Sequence, residues 1–500
     1  MAWSQIEPNP PHRTYLLLSL FLILYALFTC FIRNRLHLSE PPLALLYGIL
    51  LGPRGLAWLT PNIRASNGPD WTEPPQDAVD MGGWGWGDDI VQEAARVIVG
   101  VQVFSIGVEL PKWYASRHWP SVAMMLGPVM AFGYLVCAAC VALLFGTDLP
   151  TALVVAACLT PTDPVLAASI LSHSQFSNRV PKRLKNLLSA ESGCNDGISF
   201  PFLYIGLFFL TKPSVGLAMK NFFLLTVLWQ CVFGTTIGMI IGTAFNRILR
   251  FSDRKGYTDA ASFTVFYLLL AILSVGIGST LGADDFLVAF GAGYGFSRDG
   301  WFAHKTKGAQ IPSIIDLLLN SAMFVYLGTI IPWYAFSPQG ITPSITPGRL
   351  IAFLLLVLTL RRIPIVLAVY RWVPDIQTFS EALFCGHFGP MGLGAVFLAI
   401  EARAVLETGG TIPLPHPPAY GRPYTPREKA SIIVWPLVCF IVVGSTLVHG
   451  LSVLVLSIVS HFQRPKENRA GILAAETEPL DGMIHEDSDG SSENGGESDD

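Results

Sequence analysis

Charged residues are scarce in this sequence. Asp, Glu, Lys and Arg make up 14% of its 500 residues, where a soluble domain carries about 25%. Hydrophobic residues make up 51% and the mean hydropathy is +0.49, which excludes an ordinary water-soluble fold and points to the bilayer as solvent. The period-2 and period-3.6 alternations of half-buried strands and surface helices are missing as well, because the long runs are apolar all round. Nor does the first apolar run read as a cleavable leader. Residues 14–32 are about as long as one hydrocarbon crossing, roughly 20 residues, but Arg33 and Arg35 follow without a small-residue cleavage pattern, which predicts a retained helix. No N-x-[ST] acceptor occurs, so glycosylation gives no clue to topology. Nothing points to nucleic acid or to a bound cofactor. Cys137 and Cys140 form a C-x-x-C, but its flanks, GYLVCAACVALLF, are as apolar as lipid and suit small packing residues better than redox or metal chemistry.

What is present is a series of thirteen apolar segments, near 14–32, 42–60, 90–110, 119–146, 150–172, 184–211, 219–246, 258–281, 283–297, 312–332, 349–371, 380–402 and 430–461. The third, fifth and twelfth are weakly apolar, which predicts protein-facing positions. Nineteen Lys and Arg fall in the odd-numbered loops and the tail, against ten on the other side. By the positive-inside rule the N-terminal residues 1–13 lie outside and the tail from 462 lies in the cytoplasm. That tail ends in EDSDGSSENGGESDD; its charge and lack of apolar residues predict a disordered, solvating segment.

Two segments are interrupted at their centres. The fifth carries Thr160-Pro161-Thr162-Asp163-Pro164 and the twelfth carries Gly386-His387-Phe388-Gly389-Pro390-Met391-Gly392-Leu393-Gly394. Proline removes an N–H and clashes with the preceding turn. Backbone left unpaired in lipid survives only inside protein or beside a water-filled cavity. The two interruptions are seven segments apart. Two six-segment repeats joined by the seventh would therefore have opposite topology, and paired interruptions in inverted repeats point to a transporter's binding site. The fold expected is an all-α membrane protein of about thirteen transmembrane helices with two crossed discontinuous helices.

The sixth segment adds Ser189-Ala190-Glu191-Ser192-Gly193-Cys194-Asn195-Asp196-Gly197. Intramembrane carboxylates are expensive and mark functional sites. Glu191 and Asn195 share one helix face, as do Ser192 and Asp196. A hard cation such as Na⁺ takes oxygen ligands, which Asp196, Ser192 and groups freed at Thr162–Asp163 would supply. Burial favours a neutral carboxylate and a bound cation favours an ionised one, so proton and cation compete for a single group. If the protein changes sides only when that charge is neutralised, exchange is obligatory. Glu191 needs a partner, and Arg362 of the eleventh segment, or Arg361 beside it, would brace segments six and eleven; alternatively the two arginines end that helix at a lipid surface. Asp284 and Asp285 open the ninth segment and suit either capping or an ion-attracting vestibule. His387 is a candidate for tuning pH response.

These residues resemble the cation–proton antiporter superfamily, and specifically the fungal plasma-membrane Na⁺/H⁺ antiporters. LTPTDPVLAASI at 159–170, SAESGCNDGISFPF at 189–202 and LGADDFLVAFGAG at 281–293 carry the resemblance, with support from FSIGVELPK at 104–112 and the RRIP and FGPMGLGA segments. It covers about 14–461. It implies core helices at about 119–211 and 349–461, dimerisation helices at about 14–110 and 219–332, an elevator-like movement of the core, a homodimer and a plasma-membrane location. It implies exchange of Na⁺, also Li⁺ and K⁺, for H⁺ in salt tolerance and cation homeostasis. Asp196 falls on the family's ion-binding aspartate and Asn195 on the asparagine before it. Ser192, Thr162 and Asp163 fall on the surrounding positions, and Glu191 and Arg362 on its bracing pair. The Asn-Asp pair is similar to the electroneutral branch. Where prokaryotic members place a Glu in the third segment, this chain has Ser105, with Glu109 four residues on.

Two rivals are weaker. An intramembrane aspartyl protease would pair Asp196 with Asp284 or Asp285, but its G-x-G-D element is replaced by Gly-Ala-Asp-Asp. A channel of similar topology would show net flux without counter-transport. The sequence favours a transporter over an enzyme.

Overall fold

The computed structural model describes residues 10–36, 38–59, 88–163, 180–305, 311–338, 342–413 and 424–463. Among these residues there is no strand. The helices are α1 (Pro10–Asn34), α2 (Glu40–Leu51), α3 (Asp88–Glu109), α4 (Tyr114–Met124), α5 (Met130–Phe145), α6 (Leu149–Cys158), α7 (Lys182–Thr211), α8 (Val215–Asn221), α9 (Gly234–Arg254), α10 (Ala260–Leu281), α11 (Asp285–Ser297), α12 (Trp301–Lys305), α13 (Ile311–Thr329), α14 (Pro347–Leu360), α15 (Ile363–Val369), α16 (Phe379–His387), α17 (Leu393–Thr408) and α18 (Pro426–Gln463). Among the described residues, eight helical stretches are long and apolar enough to cross a membrane, and Glu40–Leu51, Leu149–Cys158 and Leu317–Thr329 are shorter apolar helices. Residues up to Ser452 form one compact unit; Val453–Asp500 form a second, described only as far as the end of α18.

The twelfth segment is broken as Pro390 and its glycines require: α16 stops at His387 and α17 starts at Leu393. The fifth stops at Cys158, and 161–163 continue without helix; the rest of that segment, 164–179, lies outside the described residues. Three features differ from the sequence expectation. The eleventh segment is also interrupted, at Arg361 and Arg362 between α14 and α15, with Pro364 in the first turn of the new helix, where a missing N–H costs nothing. π-helical stretches at Met125–Val129 and Phe222–Phe233 join α4 to α5 and α8 to α9. The terminal helices are longer than expected, with α1 beginning at Pro10 and α18 running to Gln463, so 462 and 463 belong to the helix and not to the tail. The acidic stretch beyond them lies outside the described residues, as does loop 60–87.

Glycine sets the closest packing. Gly238 and Gly242 of α9 lie against the carbonyls of Val288 and Ala292 in α11, and Gly107 and Gly293 bring α3 and α11 together backbone to backbone. Small residues permit this approach, which in lipid replaces the hydrophobic drive for association. A methyl group at any of these positions would collide with main chain. The helices α3, α9 and α11 thus form a tight group beside α7.

Candidate ion-binding site

The site is built where the fifth and twelfth segments cross beside α7. The Asp163 N–H donates to the Pro390 carbonyl at 2.7 Å, joining the two non-helical stretches directly. From α7, Asn195 clamps the first stretch: its Nδ2 donates to Thr162 Oγ1 at 2.8 Å and its Oδ1 accepts from the Thr162 N–H at 3.2 Å. The Thr162 and Ser192 hydroxyls are 2.8 Å apart, so Thr162, Ser192 and Asn195 form one network. All three are buried.

Asp196 turns elsewhere. It is 3% exposed, and its Oδ1 has no hydrogen-bond partner among the described residues. It lies so close to Gly394 that a Cβ there would strike the carboxylate. The Asp163 carboxylate sits against Gly392 in the same way, and its Oδ2 accepts from the Leu393 N–H at 3.2 Å. Both carboxylates therefore face the first turn of α17, the positive end of a helix dipole with unpaired N–H groups. Asp163 is engaged in capping that turn, and Asp196 keeps an open oxygen.

The carbonyl ends are neutralised by a different residue. Arg361 donates through Nη1 to the Leu159 carbonyl at the end of α6 and through Nη2 to the Gly389 carbonyl beyond α16, the latter at 2.5 Å. Arg362 is the residue that meets Glu191, through two bonds of 2.5 and 2.7 Å, and its Nε donates to the Cys385 carbonyl at 2.8 Å. A forked pair of this kind fixes geometry as well as charge. A cavity of about 20 Å³, room for a single water molecule, lies among Thr160, Glu191, Asn195, Arg361 and Arg362.

The remaining candidates are not hydrogen-bonded into this network, although Asp284, like Asp196, has one buried carboxylate oxygen without a partner among the described residues. Asp284 caps α11, its Oδ1 accepting from the Phe286 and Leu287 N–H groups at 3.0 Å each. Asp285 is bonded to Arg96 and to the Ser279 hydroxyl. Both are buried. His387 lies 3.3 Å from the Ser452 hydroxyl, with its ring centroid 5.2 Å from that of His449. Ser105 is buried, and Glu109 is exposed at the end of α3. Sequence reasoning missed what holds the second break from α18: Ser445 Oγ accepts from the Met391 N–H at 2.9 Å, and His449 Nε2 lies 3.1 Å from the His387 carbonyl. The signal was there as the polar Ser445, Thr446 and His449 in an apolar run. Among the described residues no three His, Cys, Asp or Glu side chains stand together as a metal site. The donors at hand are a carboxylate, hydroxyls and carbonyls, the oxygen set that suits a hard cation.

Comparison with known proteins follows the same lines. A family model described as sodium/hydrogen exchanger, transmembrane, matches residues 18–459. The chain is 41% identical over 461 residues to the Na⁺/H⁺ antiporter 2 of Zygosaccharomyces rouxii, covering 91% of this chain and 54% of that one. It is 34% identical to a Na⁺/H⁺ antiporter of Schizosaccharomyces pombe, covering 92% of each. It spans about half the length of several of the fungal relatives it matches. The solved sodium proton antiporter MjNhaP1 of Methanocaldococcus jannaschii shares the fold, with a TM-score of 0.60 at 18% identity over 87% of this chain and 98% of that one.

Proposed function

The chain belongs to the sodium/hydrogen exchanger family, and from that premise we propose that it exchanges Na⁺ for H⁺ through Asp196, one carboxylate that holds either ion but never both. The observation that carries this reading is the buried Asp196 oxygen that has no partner among the described residues, placed at the start of an interrupted helix. A bare carboxylate inside the membrane is costly. A proton or a cation relieves the cost, so the occupied site moves and the empty site does not. One carboxylate gives one charge in each direction.

Ser192 and Thr162 complete the oxygen shell of the cation, their hydroxyls turning from each other to the ion. Asn195 holds Thr162 in place, and Asp163 orients the first turn of α17. Glu191 and Arg362 brace α7 against the eleventh segment. Li⁺ and K⁺ are alternative cargo. The core, about 119–211 and 349–461, moves as an elevator against dimerisation helices at about 14–110 and 219–332 in a plasma-membrane homodimer. The N-terminus is outside and the tail is cytoplasmic. Glycine at the contact supports the sliding step: Gly193 faces Ile106 and Phe290, and Gly197 faces Leu287, with no side chain of its own to interlock.

Purified protein in vesicles with an imposed pH gradient tests this. Na⁺ or Li⁺ should dissipate the gradient for the wild type and not for Asp196→Asn. A wild-type protein that moves no protons in response to cation would overturn it.

A further inference from the structure

From Asp196, two layers close the route along α7 and α17 toward the face where α3 and α11 begin. The first is aromatic. Phe200 of α7, Phe286 of α11 and Phe397 of α17 meet with ring centroids 4.9 to 6.3 Å apart, and none is more than 5% exposed. Phe200 stands four residues beyond Asp196 on α7 and Phe397 three beyond Gly394 on α17, while Phe286 follows Asp284, the cap of α11, by two. The second layer is ionic. The Arg96 guanidinium of α3 lies 5.0 Å over the Phe397 ring, is bonded to Asp285 of α11 and lies 3.5 Å from Glu401 of α17.

The two carboxylates are held differently. Asp285 contacts Arg96 directly and accepts from the Ser279 hydroxyl at 2.9 Å. Its backbone belongs to α11, locked to α3 and α9 by the glycine contacts. Glu401 takes its short bond from Gln92 Nε2, at 2.5 Å, and lies 3.5 Å from the Tyr204 hydroxyl of α7. Its backbone belongs to α17, whose first turn faces Asp196. The eight steps from Leu393 to Glu401 span about 12 Å at 1.5 Å per residue, so a shift of α17 at the ion site is carried rigidly to Glu401. The remaining charged group on Arg96 is Glu93, 64% exposed and 3.2 Å from Nε.

We infer that Arg96 and Gln92 form a latch on Glu401 that holds α17 against α3 and α11 and keeps Asp196 closed from that face. Asp285 is the fixed anchor of Arg96, and Glu401 is the member that lets go. The three phenylalanines seal beneath the latch, and the ion pair decides how readily the seal parts. Arg96 and Glu401 are positioning residues for the exchange; neither touches the cation. The inference rests on the exchange reading and adds the side of the membrane on which closure is controlled.

The test is the apparent Na⁺ KM measured separately from each face in full-length protein, with vesicles sorted by orientation. Glu401→Gln weakens the latch with little change in shape. It should lower KM several-fold at the face where α17 ends and raise it at the other, because the resting population moves toward the first face. Equal changes on both faces, or none, would overturn the latch. A second variant covers loss of folding: Gln92→Cys with Glu401→Cys, oxidised to a disulfide, should stop exchange, and reductant should restore it. Undiminished exchange by the cross-linked protein would also overturn the proposal. If the wild type shows no exchange in the same assay, the underlying reading fails instead.

Discussion

Glu191 gives both its oxygens to Arg362, and each side chain is buried, at 3% and 7% exposure. Breaking such a pair strands a charge, at a cost of about 3–5 kcal/mol. Glu191→Gln and Arg362→Ala should each lower thermal stability in detergent by an amount in that range. The charge swap Glu191→Arg with Arg362→Glu should recover part of it; failure to recover any would remove the pairing as the reason for the loss. Arg361 works differently, since its partners are the Leu159 and Gly389 carbonyls. Arg361→Met would leave two buried acceptors unmet, at about 1–3 kcal/mol each, a loss that the Glu191 and Arg362 charge swap should not recover. The sequence offered the pair only as Glu191 with Arg362, or with Arg361 beside it. Of its Lys and Arg, Arg96, Arg361 and Arg362 fall in neither set of loops, and these three prove to be buried. Which of the two adjacent arginines meets Glu191 was not legible, because the choice depends on the Leu159 carbonyl, 202 positions from Arg361, and on the Gly389 and Cys385 carbonyls of the twelfth segment.

At the scale of elements, the start of α17 decides the site. Gly392 and Gly394 allow two carboxylates to reach its first turn. A methyl group at 394 would displace Asp196 without touching the helix behind it. Gly394→Ala should therefore raise the Na⁺ KM by about tenfold, some 1.4 kcal/mol, with little change in melting temperature; an unchanged KM would show that Asp196 does not depend on that turn. The break itself was legible from residues 386–394, since Gly and Pro cannot continue a helix inside lipid. The break at 361–362 was not. A single RRIP in an apolar run fits a continuous helix equally well until its four distant partners are known. The π-helical stretches were invisible for a related reason, because Met125–Val129 and Phe222–Phe233 are no less apolar than the helices they join.

For the whole molecule, the proposed exchange moves α7 past α3 and α11, along a contact lined on the α7 side by Gly193 and Gly197. Gly193→Val would push branched atoms into Ile106 and Phe290. It should slow turnover by about tenfold or more, equivalent to at least 1.4 kcal/mol in the barrier, while Na⁺ still competes with protons at equilibrium. Normal turnover would show that this surface does not slide. The central claim is competition of two ions for one buried carboxylate, and the pH dependence of the apparent Na⁺ KM in oriented vesicles tests it most directly. If each proton bound at Asp196 excludes one Na⁺, as proposed, KM rises about tenfold for each unit of falling pH on the acid side, with the maximal rate unchanged. A KM that stays constant across that range while the maximal rate falls would contradict it.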